Sequence, residues 1–541
     1  MTKKKTTYSL GVVLLALLVG LMGGSLLTPR VNKRSIQERV MSDRMNAMLQ
    51  LVEGCYVDKI DYDSLTDQMM NAMLSTLDPH SCYLSPEAFA KESEMVQGRF
   101  EGIGVTLYYL NDTVYANTVI AGSPAAQAGI HPGDRIMKVD TTLVSGTGLT
   151  KKPSGVVDLI RGPRYTTVTL SIQRAGSEKL IQKKVKRDVI HHASVPAAVM
   201  MDKETGYILV SRFAGTTAAE FHNALLQLTQ EGMKHLVLDL RNNGGGVLDG
   251  AIQMADELLP QGDLIVYTQG AHERRRNVYA TKGGLFEDGR LTVLINEHSA
   301  SASEVVSGAI QDNDRGTIVG HRSFGKGLVQ HQFDLSDNSA ILLTIARYYS
   351  PSGRCIQRPY DKGSDEYYSE YLARVLSDYT MADSVLNQQD SSEEYLTKNG
   401  RKVYGGGGIL PDVTLPYLRD TSLIYFNRLI DKQVLERVMF NNLFAHYDAI
   451  IKQYPDMESF EKHFMVDDKL WETILRQADK QGLKRHAECI RKYGSEIRNR
   501  YKAIMALALY GDDGYYKIAL PYDTEMQQAL KAKVNLNGKK K

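Results

Sequence analysis

The sequence predicts an α/β core built on a mainly parallel sheet, with an inserted β-rich module ahead of it, a helical N-terminal segment and a helical C-terminal region. Three observations carry this. Between residues 205 and 350, short and nearly continuous apolar strands such as "YILVSRF" and "HLVLDLR" alternate with helices such as "TAAEFHNALLQLTQEGM", as in strands buried on both faces. From 96 to 185 the pattern changes to strands and glycine turns, with little helix. The last 120 or so residues are mainly helical and charged. A chain of 541 residues is also too long for one ordinary core, so two to four domains are expected.

The elements follow in order. "MTKKKTT" precedes eighteen uncharged residues, Leu10 to Leu27, a charged start plus an apolar run at the short end of a membrane span. Residues 1–30 therefore read as a signal peptide or signal anchor, and the protein as exported, anchored rather than free. Residues 35–95 carry helical periodicity, broken at "DPHSCYLSPEAF" by Pro79 and Pro86,. In 96–185, "IGVTLYYLNDTVYANTVI" reads as a hairpin turning at Asn111-Asp112, "SPAAQAG" as a short helix stopped by Gly129, "GVVDLIRG" as a second helix and "TTVTLSIQR" as a closing strand,. The core, 190–416, then alternates strand and helix through "DLRNNGGGVLDGAIQMADELL", "DLIVYT", "RLTVLIN", "SASEVVSGAIQDN" and "GTIVG". It returns to strands in "LVQHQFDL" and "AILLTIARYY" and ends on the crossing segment "GGGGILPDVTLP". Residues 417–541 are helical and carry no readable motif.

Composition excludes several classes. A formal net charge of +2 gives no pull toward nucleic acid,, and no nucleic-acid partner is expected. The four cysteines, Cys55, Cys82, Cys355 and Cys489, have no CxxC spacing. A Cys55–Cys82 bridge is conceivable, but free buried thiols are the expectation. His191 and His192 are adjacent without a zinc pattern, so neither a metal nor a cofactor is expected.

Chemistry concentrates in the core. "NEHSASASE" lies between a buried strand and a helix, so its serines occupy a strand-to-helix turn, the setting in which a hydroxyl is exposed and helix N–H groups point at it. Ser301 is the geometrically favoured nucleophile, with small residues on both sides, while Ser303 suits an N-cap. Taken alone, the stretch also reads as three capping and turn serines. His298 lies three residues upstream at the strand end and points away. The better base is Lys326 in "GHRSFGKGLVQ", flanked by Gly325 and Gly327. To accept a proton near neutral pH, its pKa must fall from ~10.4 to about 7–8 through burial. Gln330 is placed to hold the amine, although the segment also reads as a solvated lysine in a glycine turn. "NNGGG" opens a helix with unobstructed N–H groups, from which Gly245 or Gly246, paired with the Ala302 N–H, makes an oxyanion site. It lacks the lysine and Ser/Thr of a phosphate-binding loop.

Together, "DLRNNGGG", "NEHSASASEVVSGAIQDN" and "GKGLVQ" resemble the carboxy-terminal (tail-specific) processing proteases, S41 family serine peptidases with a PDZ domain. "LDPHSCYLS", "YYSPSGRCIQ" and "GGGGILPDV" extend the resemblance over about residues 40 to 415. It implies a crotonase/Clp-like spiral core and a Ser–Lys dyad. The 25-residue spacing selects Ser301 and Lys326, Gln330 falls on a family glutamine, and Asp312 on an acidic residue of structural weight. Gly244 departs from the pattern, which often has proline there. Residues 96–185 resemble the PDZ domain that such proteases carry at this place. Gly102, Ile103, Gly104 and Val105 fit its peptide-binding loop and strand, and Arg161 is placed to couple the module to the core.

The resulting expectation is a serine endopeptidase that grips exposed C-terminal tails of polypeptides, located in a bacterial periplasm and inner-membrane anchored, with a homo-oligomer as a further partner reading. The alternatives are an inert PDZ scaffold on a protease-like core and, more remotely, an acyl-CoA-handling enzyme on a related spiral.

Overall fold

The computed structural model describes residues 36–146, 153–175, 177, 179–281, 283–380, 393–417, 420, 423–532 and 536. The apolar run Leu10–Leu27 lies outside the described residues; among those described, no helix is long and apolar enough to cross a membrane. The chain divides into two compact units, residues 1–69 and 70–541. In the first, the helix Ile36–Cys55 exposes Met41 and Leu51.

The second unit is organised by a six-stranded sheet in the order Ala197–Met200, Thr205–Leu209, His235–Asp239, Arg290–Ile295, Thr317–Gly320, Val413–Thr414. The first pair is antiparallel and the rest are parallel, as the continuous apolar runs predict. Helices Thr217–Gln230, Leu248–Asp256 and Ala302–Asp312 cover one face, burying Phe221, Leu225, Met254 and Val306 against Leu236, Leu238 and Val293. The other face, with Tyr207, Val237, Leu294 and Val319, is closed by Leu520, Met526 and Ala529 from the C-terminal end of the chain. The 417–541 region therefore supplies half of the sheet's cover.

A second, antiparallel sheet runs Cys82–Leu84, Ala340–Tyr349, Leu264–Gln269, Arg276–Tyr279, with Leu328–Asp334 also paired to Ala340–Tyr349. Two of these strands were not anticipated. Cys82–Leu84 is too short to show a period, and the charged run before Arg276–Tyr279 masks an edge strand.

The β-rich module is a sheet in the order Val105–Leu110, Thr113–Val119, Arg135–Val139, Thr167–Gln173, Ile181–Lys186. Asn111 takes φ 53° at the hairpin tip, as its turn placement requires. Thr167–Gln173 does not close the sheet. Ile181–Lys186 adds a further strand, obscured in sequence by its lysines: Lys184 and Lys186 stand on the exposed side, and half-buried Lys183 shares the side of Val185. A two-stranded stem, Arg99–Gly102 with Asp188–His191, joins the module to the core.

The helices from Leu423 to Ala519 pack around Phe440, Phe460, Ile474 and Tyr501, and that same core takes in Leu110 and Tyr115 of the module. The cysteines are all free thiols, with Cys489 buried, Cys82 and Cys355 half-buried and Cys55 exposed. The expectation of buried thiols therefore holds for one of them.

Candidate active site

The helix Ala302–Asp312 begins immediately after Ser301, which takes φ 55°, ψ −113° as its N-cap. A non-glycine residue at positive φ is strained, and here it lies on a tight strand-to-helix turn. Ser303, expected as the N-cap, is instead inside the first helical turn. The outer serines fasten the turn to the glycine segment: Ser299 Oγ donates to the Leu240 carbonyl (2.8 Å) and Ser303 Oγ to the Asn243 carbonyl (2.8 Å). Ala300 N–H also donates to Asn243, at 3.0 Å. Ser301 is left between them, half-buried. His298 is exposed and meets the Tyr371 hydroxyl through Nδ1 at 2.9 Å, away from Ser301 as expected.

The glycine turn approaches as closely as a missing side chain permits. Gly245 has φ 101°, and a Cβ there would lie 2.8 Å from the Ala300 carbonyl oxygen and Ser301 Cβ, and 3.0 Å from the Ala302 nitrogen. A Cβ on Gly246 would fall 2.0 Å from the Phe213 carbonyl oxygen. Gly244, the position noted above as a departure from the resembled pattern, has open space around it. The Gly245 N–H donates to Asn243 Oδ1 at 2.9 Å, and Asn243 Nδ2 donates to the Val210 carbonyl. Ala302 N–H belongs to the first helical turn, whose donors have no intrahelical acceptor.

Lys326 follows a loop whose tightness also depends on glycine: a Cβ on Gly327 would lie 2.9 Å from the Gln357 nitrogen. Its amine donates to Gln330 Oε1 at 2.6 Å, as the sequence suggests. Burial pulls the Lys326 pKa below the ordinary lysine value, against the opposing charges of Asp78, Cys82 and Glu304. Gln330 Nε2 in turn donates to the His80 carbonyl at 2.5 Å.

Two residues that the sequence reading passed over tie the serine turn to the lysine loop. Glu304, fully buried, accepts at Oε1 from Ser323 Oγ (2.5 Å) and Gly325 N–H (2.7 Å), and at Oε2 from Ser301 N–H (2.8 Å) and Lys326 N–H (2.9 Å). Burial raises its pKa to about 7 despite these donors. The Tyr348 hydroxyl lies against the carbonyls of both Ser301 (3.1 Å) and Lys326. A signal for Glu304 existed, since Ser301-x-x-Glu304 is a capping-box pattern. Asp312, at the far end of the helix, forms a buried pair with Arg354 (2.7 Å) and accepts from Ser352 N–H and Oγ, anchoring the "SPSGR" turn.

In the β-rich module, Val105–Leu110 is an edge strand. Gly104 has φ 78° and sits against Ser123, and Ile103 is buried in the module's own core. A cleft of about 650 Å³ lined by Ser123, Gln127, Lys184 and His191 lies beside the opposite edge, and Gly102–Val105 do not line it. Arg161 donates to Glu94 Oε2 at 2.8 Å and stacks over Phe100, so it reaches the helix Pro86–Gln97 outside the module rather than the core with which the sequence reading coupled it.

Comparison with known proteins matches the description "Peptidase family S41" to residues 204–362 and "PDZ domain" to 115–174. A family of unknown function matches 425–511. A carboxy-terminal-processing protease of Bartonella bacilliformis is 38% identical over 319 residues, covering 58% of this chain and 72% of that protein. A probable CtpA-like serine protease of Staphylococcus epidermidis is 32% identical over 351 residues, covering 64% and 70%. Among solved structures, a photosystem II D1 C-terminal processing protease is 26% identical, covers 71% of this chain and 90% of its own, and superposes with a TM-score of 0.34.

Proposed function

Because the chain belongs to peptidase family S41 and carries a PDZ domain, we propose that this serine peptidase grips the C-terminal tail of a polypeptide through the PDZ domain and cuts upstream with a Ser301–Lys326 dyad. The observation that carries this reading is the double strap of Glu304 and Tyr348, each bound to the backbone of both Ser301 and Lys326.

In this reading Ser301 Oγ attacks the scissile carbonyl while neutral Lys326 takes its proton, later returning it to the leaving amine. Gln330 Oε1 accepts one amine hydrogen and so directs the nitrogen lone pair. Developing negative charge on the carbonyl oxygen is met by Ala302 N–H and by Gly245 or Gly246 N–H. An oxyanion that takes the Gly245 donor replaces Asn243 Oδ1 as its acceptor. Substrate tails would add as a strand to the edge Val105–Leu110, their carboxylate received at Gly102–Gly104. Asp312 holds the helix end and takes no part in proton transfer.

The same proposal includes a crotonase/Clp-like spiral for 190–416, a PDZ insertion at 96–185, a helical segment at 35–95 and a distinct helical region at 417–541. It places the enzyme in a bacterial periplasm, held at the inner membrane by residues 1–30, with self-association as a further expectation. Ser301→Ala should abolish cleavage of a peptide with an apolar C-terminus while its affinity for that peptide stays unchanged. Full activity in that variant would exclude Ser301 as the nucleophile.

A further inference from the structure

The segment "LDPHSCYL" forms no part of the dyad, yet its His80 carbonyl reaches the glutamine that holds the Lys326 amine. Asp78 Oδ1 accepts from the N–H groups of His80 and Ser81, both at 2.8 Å, and its Oδ2 accepts from Ser81 Oγ at 2.5 Å. Ser81 Oγ also accepts from Thr344 N–H at 3.1 Å. Immediately afterwards Cys82–Leu84 pairs with Leu342–Ala340, on the strand that also carries Thr344, the cross-strand partner of Gln330. The turn is thereby fixed to the hairpin that bears Gln330, and it presents the His80 carbonyl to Gln330 Nε2 at 2.5 Å.

That carbonyl decides which way the Gln330 amide points. A primary amide can be turned end for end at little steric cost. With a carbonyl at one end, the NH2 must face it and Oε1 must face Lys326 Nζ. Turned the other way, the NH2 would donate to the lysine lone pair, the one electron pair a base needs. Resting on the Ser–Lys reading above, we infer that Asp78 is a positioning residue for the general base: it holds the Asp78–Ser81 turn so that the His80 carbonyl locks Gln330 in the orientation that leaves the Lys326 lone pair available to Ser301. Asp78 touches neither substrate nor the reacting atoms. It acts through the His80 backbone and Gln330.

The test is steady-state cleavage of a peptide with an apolar C-terminus by the full chain and by Asp78→Ala, Asp78→Asn and Ser81→Ala. Misplacement of a catalytic group by a distant change costs about 100-fold, so Asp78→Ala should lower kcat by about that factor with KM unchanged. Asparagine can still accept both N–H groups and donate to Ser81 Oγ, so Asp78→Asn should recover most of kcat. Equal losses in Asp78→Ala and Asp78→Asn would make the charge, not the turn, the relevant property and overturn the inference. A rise in KM alone, or unchanged kinetics, would do the same. Should Asp78→Ala not fold, the decision passes to Ser81→Ala, which removes only hydroxyl bonds: a fall in kcat supports the inference and an unchanged kcat rejects it. Wild-type cleavage that depends on Ser301 keeps the two levels apart, because its absence defeats the dyad itself, whereas its presence beside indifferent Asp78 variants defeats only the positioning role.

Discussion

Both oxygens of the Glu304 carboxylate face donors, two on each side. Replacing it with glutamine must aim an NH2 at N–H groups whichever way the amide turns, and an unsatisfied buried donor costs about 1–3 kcal/mol. Glu304→Gln should therefore reduce kcat/KM by roughly 10–100-fold, read from steady-state kinetics; an unchanged value would mean that the strap does not set the alignment of Ser301 and Lys326. The pH dependence has a definite sign. On the proposed mechanism, catalysis needs neutral Lys326, which burial makes easier to reach than for a free lysine, and ionised Glu304, whose pKa is raised to about 7. Both requirements fail as pH falls, so kcat should decline on the acid side through about pH 7. Stability moves the opposite way for Glu304. Its folded pKa lies above the unfolded 4.5, so its contribution is full below 4.5 and lost as pH rises through about 7,. A kcat that rises on acidification would contradict the assignment of Lys326 as base.

At the scale of elements, the sequence was most legible where period and punctuation agree. The apolar runs at 205–209, 235–239 and 290–295 became parallel strands, and the serine turn sits between a strand and a helix as its flanks imply. The charge-masked or very short strands were not legible, and neither was the use of Asp78–Leu84, because its partners lie some 250 residues away. The packing of the PDZ module on the helical region was hidden for the same reason. The helix Val434–Gln453 sets Phe440 against Tyr115 (centroids 4.8 Å) and Tyr108 (5.0 Å), Phe444 under Arg135 (3.9 Å) and Tyr447 on His131 (4.6 Å). Gly133 comes so close that a Cβ would meet Leu443 Cβ at 2.8 Å. Phe440 is fully buried, and truncating such a residue costs about 3–5 kcal/mol. Phe440→Ala should thus loosen the module without altering its own core, seen as faster amide hydrogen exchange along Val105–Leu110 and Thr113–Val119. Exchange rates equal to wild type there would show that this helix does not restrain the module.

For the whole molecule, the C-terminal region of the chain connects stability to the candidate active site. Arg241, two residues before Asn243, pairs with Asp239 (2.6 Å) in the core and with Asp523 (2.7 Å) and Glu525 (2.8 Å) in the tail. Glu525 also meets His321 Nε2 at 3.3 Å, five residues before Lys326, and its pKa is held at about 2 by His321 and Arg241. The tail therefore contacts the stems of both the glycine turn and the lysine loop, while Leu520, Met526 and Ala529 cover the second sheet face. Deleting residues 520–541 uncovers that face. Losing the burial of Leu520 and Met526 alone costs roughly 3–6 kcal/mol, a large share of the stability of an ordinary domain. The truncated chain should melt several degrees lower and expose Tyr207 and Val237 to aggregation. A separate, smaller change isolates the polar link: Glu525→Gln removes the charge and leaves the apolar cover. It should weaken stability most at neutral pH and little below about pH 2, where the wild-type carboxylate is itself protonated,. Thermal melts of both proteins across that range measure the difference, and a deficit that persists undiminished at the acid end would show that the His321–Glu525–Arg241 cluster does not act through its charge.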